Sequence, residues 1–423
     1  MSSLPSNSLA LTLLFALALA AGLLVKFWLT SRQIRHVARH RDAVPAAFAQ
    51  TVTPESHRKA ADYTITKARL GLLETAFGAA VLLAWTLLGG LDLLNRALLA
   101  WMGGGMAQQL ALLAAFALIS GLLDLPFTLY QTFVIEQRFG FNRMTLGLWL
   151  VDLVKSIAVG ALIGLPIAAL ILWLMGAAGA LWWLWAWGVW MGFNLLLLVL
   201  YPSFIAPLFN KFKPLDDESL KARVSALMAR CGFAAKGLFV MDGSKRSAHA
   251  NAYFTGFGAA KRVVFYDTLL SKLSPPEVDA VLAHELGHFH HKHILKRIAG
   301  LFALSLAGFA LLGWLSTQVW FYTGLGLRPN TLGAPNDALA LLLFMLAVPV
   351  FTFFIAPLFA QLSRRHEFEA DAYAVNHTSG QDLSAALLKL YEDNASTLTP
   401  DPLYVKFYYS HPPASERLAR MAA

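Results

Sequence analysis

Seven stretches of this sequence are apolar and long enough to cross a lipid bilayer, which takes about 20 mostly apolar residues in a helix. They are residues 9–29, 70–91, 106–125, 146–175, 178–200, 298–321 and 339–358. Charged residues make up only 14% of the 423 residues, against about 25% in a typical soluble domain. The sequence therefore predicts a mostly α-helical integral membrane protein with seven transmembrane helices.

The basic residues are distributed unevenly, although a net charge of +9 would by itself also suit a nucleic-acid-binding protein. Lys and Arg are concentrated in four parts of the chain, residues 32–67, 138–143, 211–297 and 364–423. The alternate loops contain only Arg96 and Arg328. Because positively charged loops face the cytoplasm, we predict an outside N-terminus, cytoplasmic polar segments and no nucleic acid partner. The first apolar segment has no Lys or Arg before it, which predicts a retained helix and not a signal peptide.

Two polar segments, residues 211–295 and 363–423, do not have the composition of membrane helices. Within the first, Gly237–Met241 and Arg262–Tyr266 are short apolar runs rich in Val and Phe. Gly, Lys or Asp residues bound these runs, and the pattern predicts β-strands. We expect the two polar segments to pack together into one small α/β domain on the cytoplasmic side.

A predicted helix in the first polar segment carries a metal-binding motif. Ser274 and Glu277 form a capping box that starts this helix. His284 and His288 are four residues apart, so their side chains project from one face and can bind the same ion. Glu285 lies next to the first of them and completes the HExxH pattern, in which the glutamate is the general base. A Cys-based cluster is excluded, because the chain has a single cysteine.

The third protein ligand must come from elsewhere in the chain, since a catalytic zinc usually has three protein ligands and a water molecule. Glu367 and Asp371 lie beyond the last apolar segment and share one helical face, whereas Glu369 points in another direction. We assign Glu367 to the metal, the pattern of gluzincin-type metalloproteases. Asp371 is assigned to a hydrogen bond that orients a ligand histidine. Glu369 remains the alternative to Glu367.

The residues that follow the motif exclude one class of zinc protease. That class has Gly and His at the third and sixth positions after the second histidine, where this chain has His291 and Ile294. Together with His290 and His293, His291 is predicted to form a polar cluster at the membrane interface, outside the site.

Several other segments resemble the type I CAAX prenyl protease family, the membrane-integral zinc metallopeptidases that remove the last three residues of prenylated proteins. The resembling segments are EQRFGFN at 136–142, IAPLFNK at 205–211, NAYF at 251–254, SHPP at 410–413 and ER at 416–417. The resemblance extends over most of the chain and is far more specific than HExxH alone.

The resemblance implies seven helices that enclose a large water-filled chamber, with one zinc ion at its cytoplasmic end. Glu74, Asp124 and Asp152 lie within or at the edges of apolar segments, where ionisable groups usually face protein or water. An aqueous interior would accommodate these carboxylates. Lys155, three residues after Asp152, is a candidate ion-pair partner.

The resemblance also implies roles for three further residues. Asn251 is expected on an edge strand to which a substrate peptide adds as a further strand. His411 resembles the residue that stabilises the tetrahedral oxyanion, and Arg417 resembles a supporting residue.

Two features depart from the family pattern. The chain ends in Arg420-Met421-Ala422-Ala423, without the basic signal that returns eukaryotic members to the endoplasmic reticulum. We therefore expect a bacterial homologue in the plasma membrane. His366 stands where members of the family carry an aromatic residue.

We predict an integral membrane zinc metalloendopeptidase that acts on peptides or prenylated, membrane-associated proteins. Residues 1–210 would hold helices one to five, and 211–295 the HExxH segment. Residues 296–362 would hold helices six and seven, and 363–423 the segment that completes the zinc site. Two alternatives remain open: a quality-control or polypeptide-clearing factor, and a transporter or channel with a regulatory zinc site.

Overall fold

Long helices dominate the computed structural model, which describes residues 6–233, 237–255, 262–330 and 333–421. Within these ranges, seven helical segments are long and apolar enough to cross a membrane. They are Ser6–Arg39, Pro54–Trp85, Met106–Glu136, Leu146–Ala177, Gly179–Phe209, His293–Leu315 and Asp337–His377. Each overlaps one of the predicted apolar segments, so the prediction of a mostly α-helical, seven-span membrane protein is confirmed.

The helices of the membrane region lie in two parts of the chain, one before and one after the polar domain that contains the sheet and the HExxH helix. These helices are α1 Ser6–Arg39, α2 Pro54–Trp85, α3 Gly90–Met102, α4 Met106–Tyr130, α5 Leu146–Ala177, α6 Trp182–Leu200, α11 His293–Leu315, α12 Val319–Gly324 and α13 Asp337–Thr352. The polar domain and C-terminal region contain α7 Ala206–Phe209, β1 Phe212–Pro214, α8 Glu218–Arg230, β2 Gly237–Met241, β3 Ala252–Thr255, β4 Arg262–Tyr266, α9 Asp267–Leu270, α10 Pro275–His290, α14 Ala356–His377, α15 Gly380–Asp393, α16 Pro402–Tyr408 and α17 Ala414–Met421.

Two of the predicted helices end earlier than their apolar runs. The run predicted to continue to residue 91 is broken after α2, where Gly89 has a φ of +80° and α3 begins at Gly90. The run predicted to continue to residue 321 ends with α11, and the hydroxyls of Ser316 and Thr317 donate hydrogen bonds to carbonyls in its last turn. Hydrophobicity does not register such local hydrogen bonds and turns, so the predicted ends were wrong.

The last membrane helix leads into the functional region without a loop. After α13, a short 3₁₀ turn at Phe353–Ile355 connects directly to α14. The segment boundary predicted after residue 362 therefore falls inside α14. As a result, the residues that follow the last span are held in position by a helix that continues from it.

The membrane helices surround a cavity of about 1360 Å³. Its wall includes Lys26 of α1, Gly71 and Glu74 of α2, Phe116 of α4 and Val350 of α13. Glu74 thus lines the cavity, in agreement with the predicted aqueous interior. The chamber implied by the family resemblance is present.

A four-stranded sheet forms the base of the polar domain, in the order β1-β2-β4-β3. β2 and β4 are parallel, and their bounds match the two predicted strands. β3 pairs antiparallel with β4 and lies at one edge of the sheet. Helix α10 packs into the core of this domain, where Leu282 and Leu286 are buried together with Phe265 of β4.

The polar domain is tied to the membrane helices by an ion pair. Arg246 donates two hydrogen bonds to the carboxylate of Asp152, at 2.8 and 3.0 Å, and a third to Asn210 at 2.9 Å. Lys155 instead donates to the backbone carbonyl of Leu208. The suggested Asp152–Lys155 pair is therefore wrong, because Arg246 offers the bidentate geometry that a carboxylate accepts best.

Candidate metal centre

The HExxH helix starts at the predicted capping box and packs closely against α14. The backbone N–H of Ser274 donates to Glu277 Oε2 at 2.7 Å, and Lys389 donates to the same oxygen at 2.8 Å. At Gly287, an added Cβ would lie 2.9 Å from Ala370 Cα. Only glycine permits this close approach of the two backbones. The approach places the histidines of α10 beside the carboxylates of α14.

Three side-chain groups converge at this contact. The Nε2 atoms of His284 and His288 lie 3.3 Å apart. Glu367 Oε1 lies 3.3 Å from His288 Nε2, and Glu367 Oε2 lies 3.5 Å from His284 Nε2. Two ligand atoms each about 2.0–2.1 Å from a tetrahedral zinc ion are separated by about 3.3–3.4 Å. The three separations are close to this value, with a different oxygen of Glu367 facing each imidazole, so the three groups can hold one metal ion.

One buried atom supports the same conclusion. Glu367 Oε2 is buried and has no hydrogen-bond partner among the residues that the structure describes. A buried carboxylate oxygen without a hydrogen-bond donor is costly unless a cation compensates for it, and Arg417 Nη1 approaches this oxygen only to 4.0 Å. A metal ion between the imidazoles and this carboxylate would compensate for it.

Asp371 contacts the first histidine, one turn along α14 from Glu367. Its Oδ1 atom lies 2.9 Å from His284 Nδ1, and Arg417 donates to both carboxylate oxygens, with Nε 2.8 Å from Oδ2. Burial lowers the pKa of His284, but the adjacent carboxylates of Asp371 and Glu367 outweigh this effect and raise the pKa to about 9. His284 must release the Nε2 proton when that nitrogen binds a metal. The other proton remains on Nδ1 and is donated to Asp371 in a hydrogen bond.

The cavity between the membrane helices extends to His411, which lies next to the three converging groups. The His411 side chain is 66% exposed and lines the cavity, and its Nε2 atom lies 3.4 Å from Glu367 Oε1. Glu285 is half-buried on α10, between the two histidines in sequence. A substrate in the cavity can therefore approach the centre from the side that carries His411.

Asn251 lies directly before β3, the edge strand of the sheet. Its backbone carbonyl accepts a hydrogen bond from the N–H of Tyr266, and its side chain accepts one from the N–H of Ala252. The side chain is exposed. Within the described ranges, no strand pairs with the outer side of β3.

The structure adds two residues to the surroundings of the second histidine. His293 Nδ1 lies 3.1 Å from His288 Nδ1, and His293 Nε2 lies 2.8 Å from Glu369 Oε2. From sequence alone, His293 is predicted to lie in a polar cluster outside the site, and Glu369 remains the alternative metal ligand. Lys292, with a φ of +57°, turns the chain between α10 and α11 and folds His293 back toward the motif. Helical spacing could not have revealed this contact.

Comparisons with known proteins identify the family. Residues 33–211 match the family model for the CAAX prenyl protease N-terminal region of five membrane helices, and residues 214–423 match peptidase family M48. CAAX prenyl protease 1 of Saccharomyces cerevisiae is 34% identical over an alignment of 424 positions, which covers 93% of this chain and 91% of the yeast protein. The chain belongs to the type I CAAX prenyl protease family of M48 peptidases.

Two further comparisons agree with this membership. The human CAAX prenyl protease 1 homolog is 32% identical, over 92% of this chain and 91% of its own length. The crystal structure of S. mikatae Ste24p superposes with a TM-score of 0.92 at 30% identity, and all of both chains are covered. As a member of the CAAX prenyl protease family, the protein is a multi-pass membrane metallopeptidase.

Proposed function

We propose that this CAAX-type metallopeptidase is a zinc endopeptidase that uses the centre between α10 and α14. The observation that carries this proposal is the convergence of His284, His288 and Glu367 at separations that suit one tetrahedral ion. Two imidazoles and one glutamate are a common ligand set of catalytic zinc. Zinc bound there would polarise the scissile carbonyl and lower the pKa of a water molecule to about 7.

The side chains around the three ligands then have distinct tasks. Glu285 accepts a proton from the water molecule and later passes it to the leaving amine. Asp371 accepts a hydrogen bond from the Nδ1–H of His284 and thereby orients the imidazole ring. Arg417 fixes Asp371 with two hydrogen bonds, so that Asp371 stays aligned with the imidazole.

We infer that two further residues bind the substrate. His411 presents Nε2 on the cavity side of the centre, where it can donate a hydrogen bond to the oxyanion that forms at the scissile carbonyl. Asn251 lies directly before β3, the edge strand of the sheet, where an extended peptide can add as a further strand. The exposed Asn251 side chain is free to contact such a peptide.

We place the protein with its N-terminus outside and its metal centre on the cytoplasmic side, in the plasma membrane if the source is bacterial. The support is the concentration of Lys and Arg in the segments on one side of the seven spans. Residues 211–295 and 363–423 would then form one catalytic domain. Its substrates would be peptides or prenylated proteins held at the bilayer.

Product analysis tests the proposed function. We expect the purified protein to release a C-terminal tripeptide from a farnesylated CAAX peptide, because the relatives named above are CAAX prenyl proteases. Mass spectrometry would identify the products with and without a chelator, and cleavage should require metal. An unmodified peptide of the same sequence shows whether the lipid is needed.

The same preparation distinguishes the alternatives. A polypeptide-clearing factor would bind both peptides without releasing products. A transporter would show ion flux in liposomes and no cleavage. Either result would contradict the proposed hydrolysis.

Asp371→Asn is expected to weaken zinc binding by about 10- to 100-fold, the usual cost of losing a partner that orients a ligand histidine. The amide can no longer accept a charge-assisted hydrogen bond from His284, and it loses its ion pair with Arg417. Competition with a chromophoric chelator would measure the affinity. The exposed Asp216 supplies a control, and Asp216→Asn should leave the affinity unchanged. Equal zinc affinities in the two variants would show that Asp371 does not support zinc binding by His284.

A further inference from the structure

A second group of metal-binding side chains lies beside the proposed zinc centre. His293 begins α11, whereas His366 and Glu369 are three residues apart on α14 and share one face. The potential ligand atoms of these three residues all lie within 4.8 Å of one another. Within the group, His293 Nε2 lies 2.8 Å from Glu369 Oε2.

We propose that His293, His366 and Glu369 form a second, weaker site for a divalent transition-metal ion. Two imidazoles and a carboxylate suit zinc, cobalt or nickel, whereas magnesium and calcium prefer all-oxygen sites. The outer side of the group is open to solvent, because the Glu369 side chain is 38% exposed and His366 is partly exposed, whereas His293 is buried. Water can therefore complete the coordination, and an ion can enter without passing through the catalytic cavity.

The orientation of His366 makes this site weaker than the first. The His366 and His293 rings are stacked, with centroids 4.0 Å apart and planes only 12° from parallel. One ion cannot lie in the planes of two parallel rings, so His366 must rotate about its side-chain bonds to bind. In the described part of the chain, no hydrogen bond to the His366 ring opposes that rotation. The ion must offset the loss of stacking, so we expect the second site to fill only after the first.

The second site is linked to the first through His293. When His288 binds metal through Nε2, its proton is on Nδ1 and is donated to His293 Nδ1, 3.1 Å away. Neutral His293 then carries its own proton on Nε2 and donates it to Glu369. An ion at His293 Nε2 moves this proton to Nδ1, where it faces the N–H of His288. The hydrogen bond between the two histidines is then lost.

Filling the second site should therefore inhibit the enzyme, a consequence that rests on the proposed role of His288. Without its partner, the His288 ring is less firmly oriented toward the first ion. Because this coupling is reciprocal, an ion at either site lowers the affinity of the other site by the same factor. We expect peptide cleavage to reach a maximum at one equivalent of zinc and to fall at higher concentrations.

Metal titration tests the second site independently of catalysis. The full-length protein carrying Glu285→Gln would be stripped of metal and titrated with Zn²⁺ or Co²⁺, with bound metal measured after equilibrium dialysis. We expect two ions per chain, the second bound at least about tenfold more weakly. Adding His366→Ala or Glu369→Gln should remove the second ion and leave the first, whose retention also shows that the variant is folded.

A histidine elsewhere on α14 provides the matched control. His377 Nδ1 donates a hydrogen bond to the backbone carbonyl of Tyr373, and the His377 ring stacks on the Tyr373 ring. His377→Ala should still bind two ions, and Mg²⁺ should not occupy the second position in any variant. A single ion in the parent protein, or a second ion retained with unchanged affinity in either His366→Ala or Glu369→Gln, would refute the site.

Activity measurements then test the link between the sites. Excess zinc should inhibit the protein with Glu285 intact, whereas the His366→Ala variant should resist inhibition. For each protein, the cleavage rate in excess zinc is compared with its own rate at one equivalent of zinc. If no peptide is cleaved at all, the proposed function fails, but the number of bound ions still decides whether the second site exists. Equal inhibition of both proteins would disprove the link.

Discussion

Replacing Glu285 with Gln is expected to reduce peptide hydrolysis by about 10²- to 10⁴-fold while the metal stays bound. Glutamine keeps the size of the side chain but cannot accept a proton at neutral pH. The three groups that converge on the ion, from His284, His288 and Glu367, are untouched by this change. Initial rates measured by mass spectrometry, together with elemental analysis of the same sample, would show both effects.

Two controls separate loss of the base from general damage. His284→Ala should lose both metal and activity, because it removes a ligand from the ion. Glu218→Gln changes a carboxylate on the exposed start of α8, and it should retain both. Full turnover by Glu285→Gln would show that another group takes the proton, and loss of its metal would show that Glu285 contributes to binding.

The sequence predicted the parts of the fold that depend on local composition. Each membrane helix was visible as an apolar run, and β2 and β4 were visible as short runs rich in Val and Phe. The ends of α2 and α11 were wrong because they depend on a left-handed glycine and on hydroxyl groups that bond to the last turn. Those contacts do not change the hydrophobicity of the run.

The site could be predicted where helical spacing decides which side chains share a face. His284 and His288 on α10, and Glu367 and Asp371 on α14, are each four residues apart. The distance between the two helices has no such signal, since it depends on the close contact at Gly287. A glycine inside a metal-binding helix is a weak hint that another backbone approaches there.

The contacts that were missed depend on the chain path between helices. Lys292 adopts a left-handed conformation that helical spacing does not anticipate, and this turn brings His293 back to His288. Helical spacing favours Glu367, which shares a face with Asp371, but it leaves Glu369 open as the alternative. The structure places Glu367 beside both imidazoles of the motif and Glu369 beside His293.

Glu367→Gln is therefore expected to abolish tight zinc binding, with a larger loss of affinity than the about 10- to 100-fold expected for an outer partner. The change removes the negative charge that faces two neutral imidazoles and puts an amide nitrogen near one of them. Because a bound metal stabilises the folded state in proportion to its affinity, one equivalent of zinc should raise the melting temperature of the parent protein but not of this variant.

Glu369→Gln is the matched comparison, because it makes the same chemical change two residues further along α14. Its side chain is 38% exposed and contacts His293, not the two motif histidines. The zinc-dependent rise in melting temperature should therefore persist, reduced only by a weaker hold on His293. If Glu369→Gln loses this rise and Glu367→Gln keeps it, the two carboxylates have exchanged roles. The reason is that removing the carboxylate that binds zinc lowers the zinc affinity, and with it the stabilisation that zinc gives to the folded state.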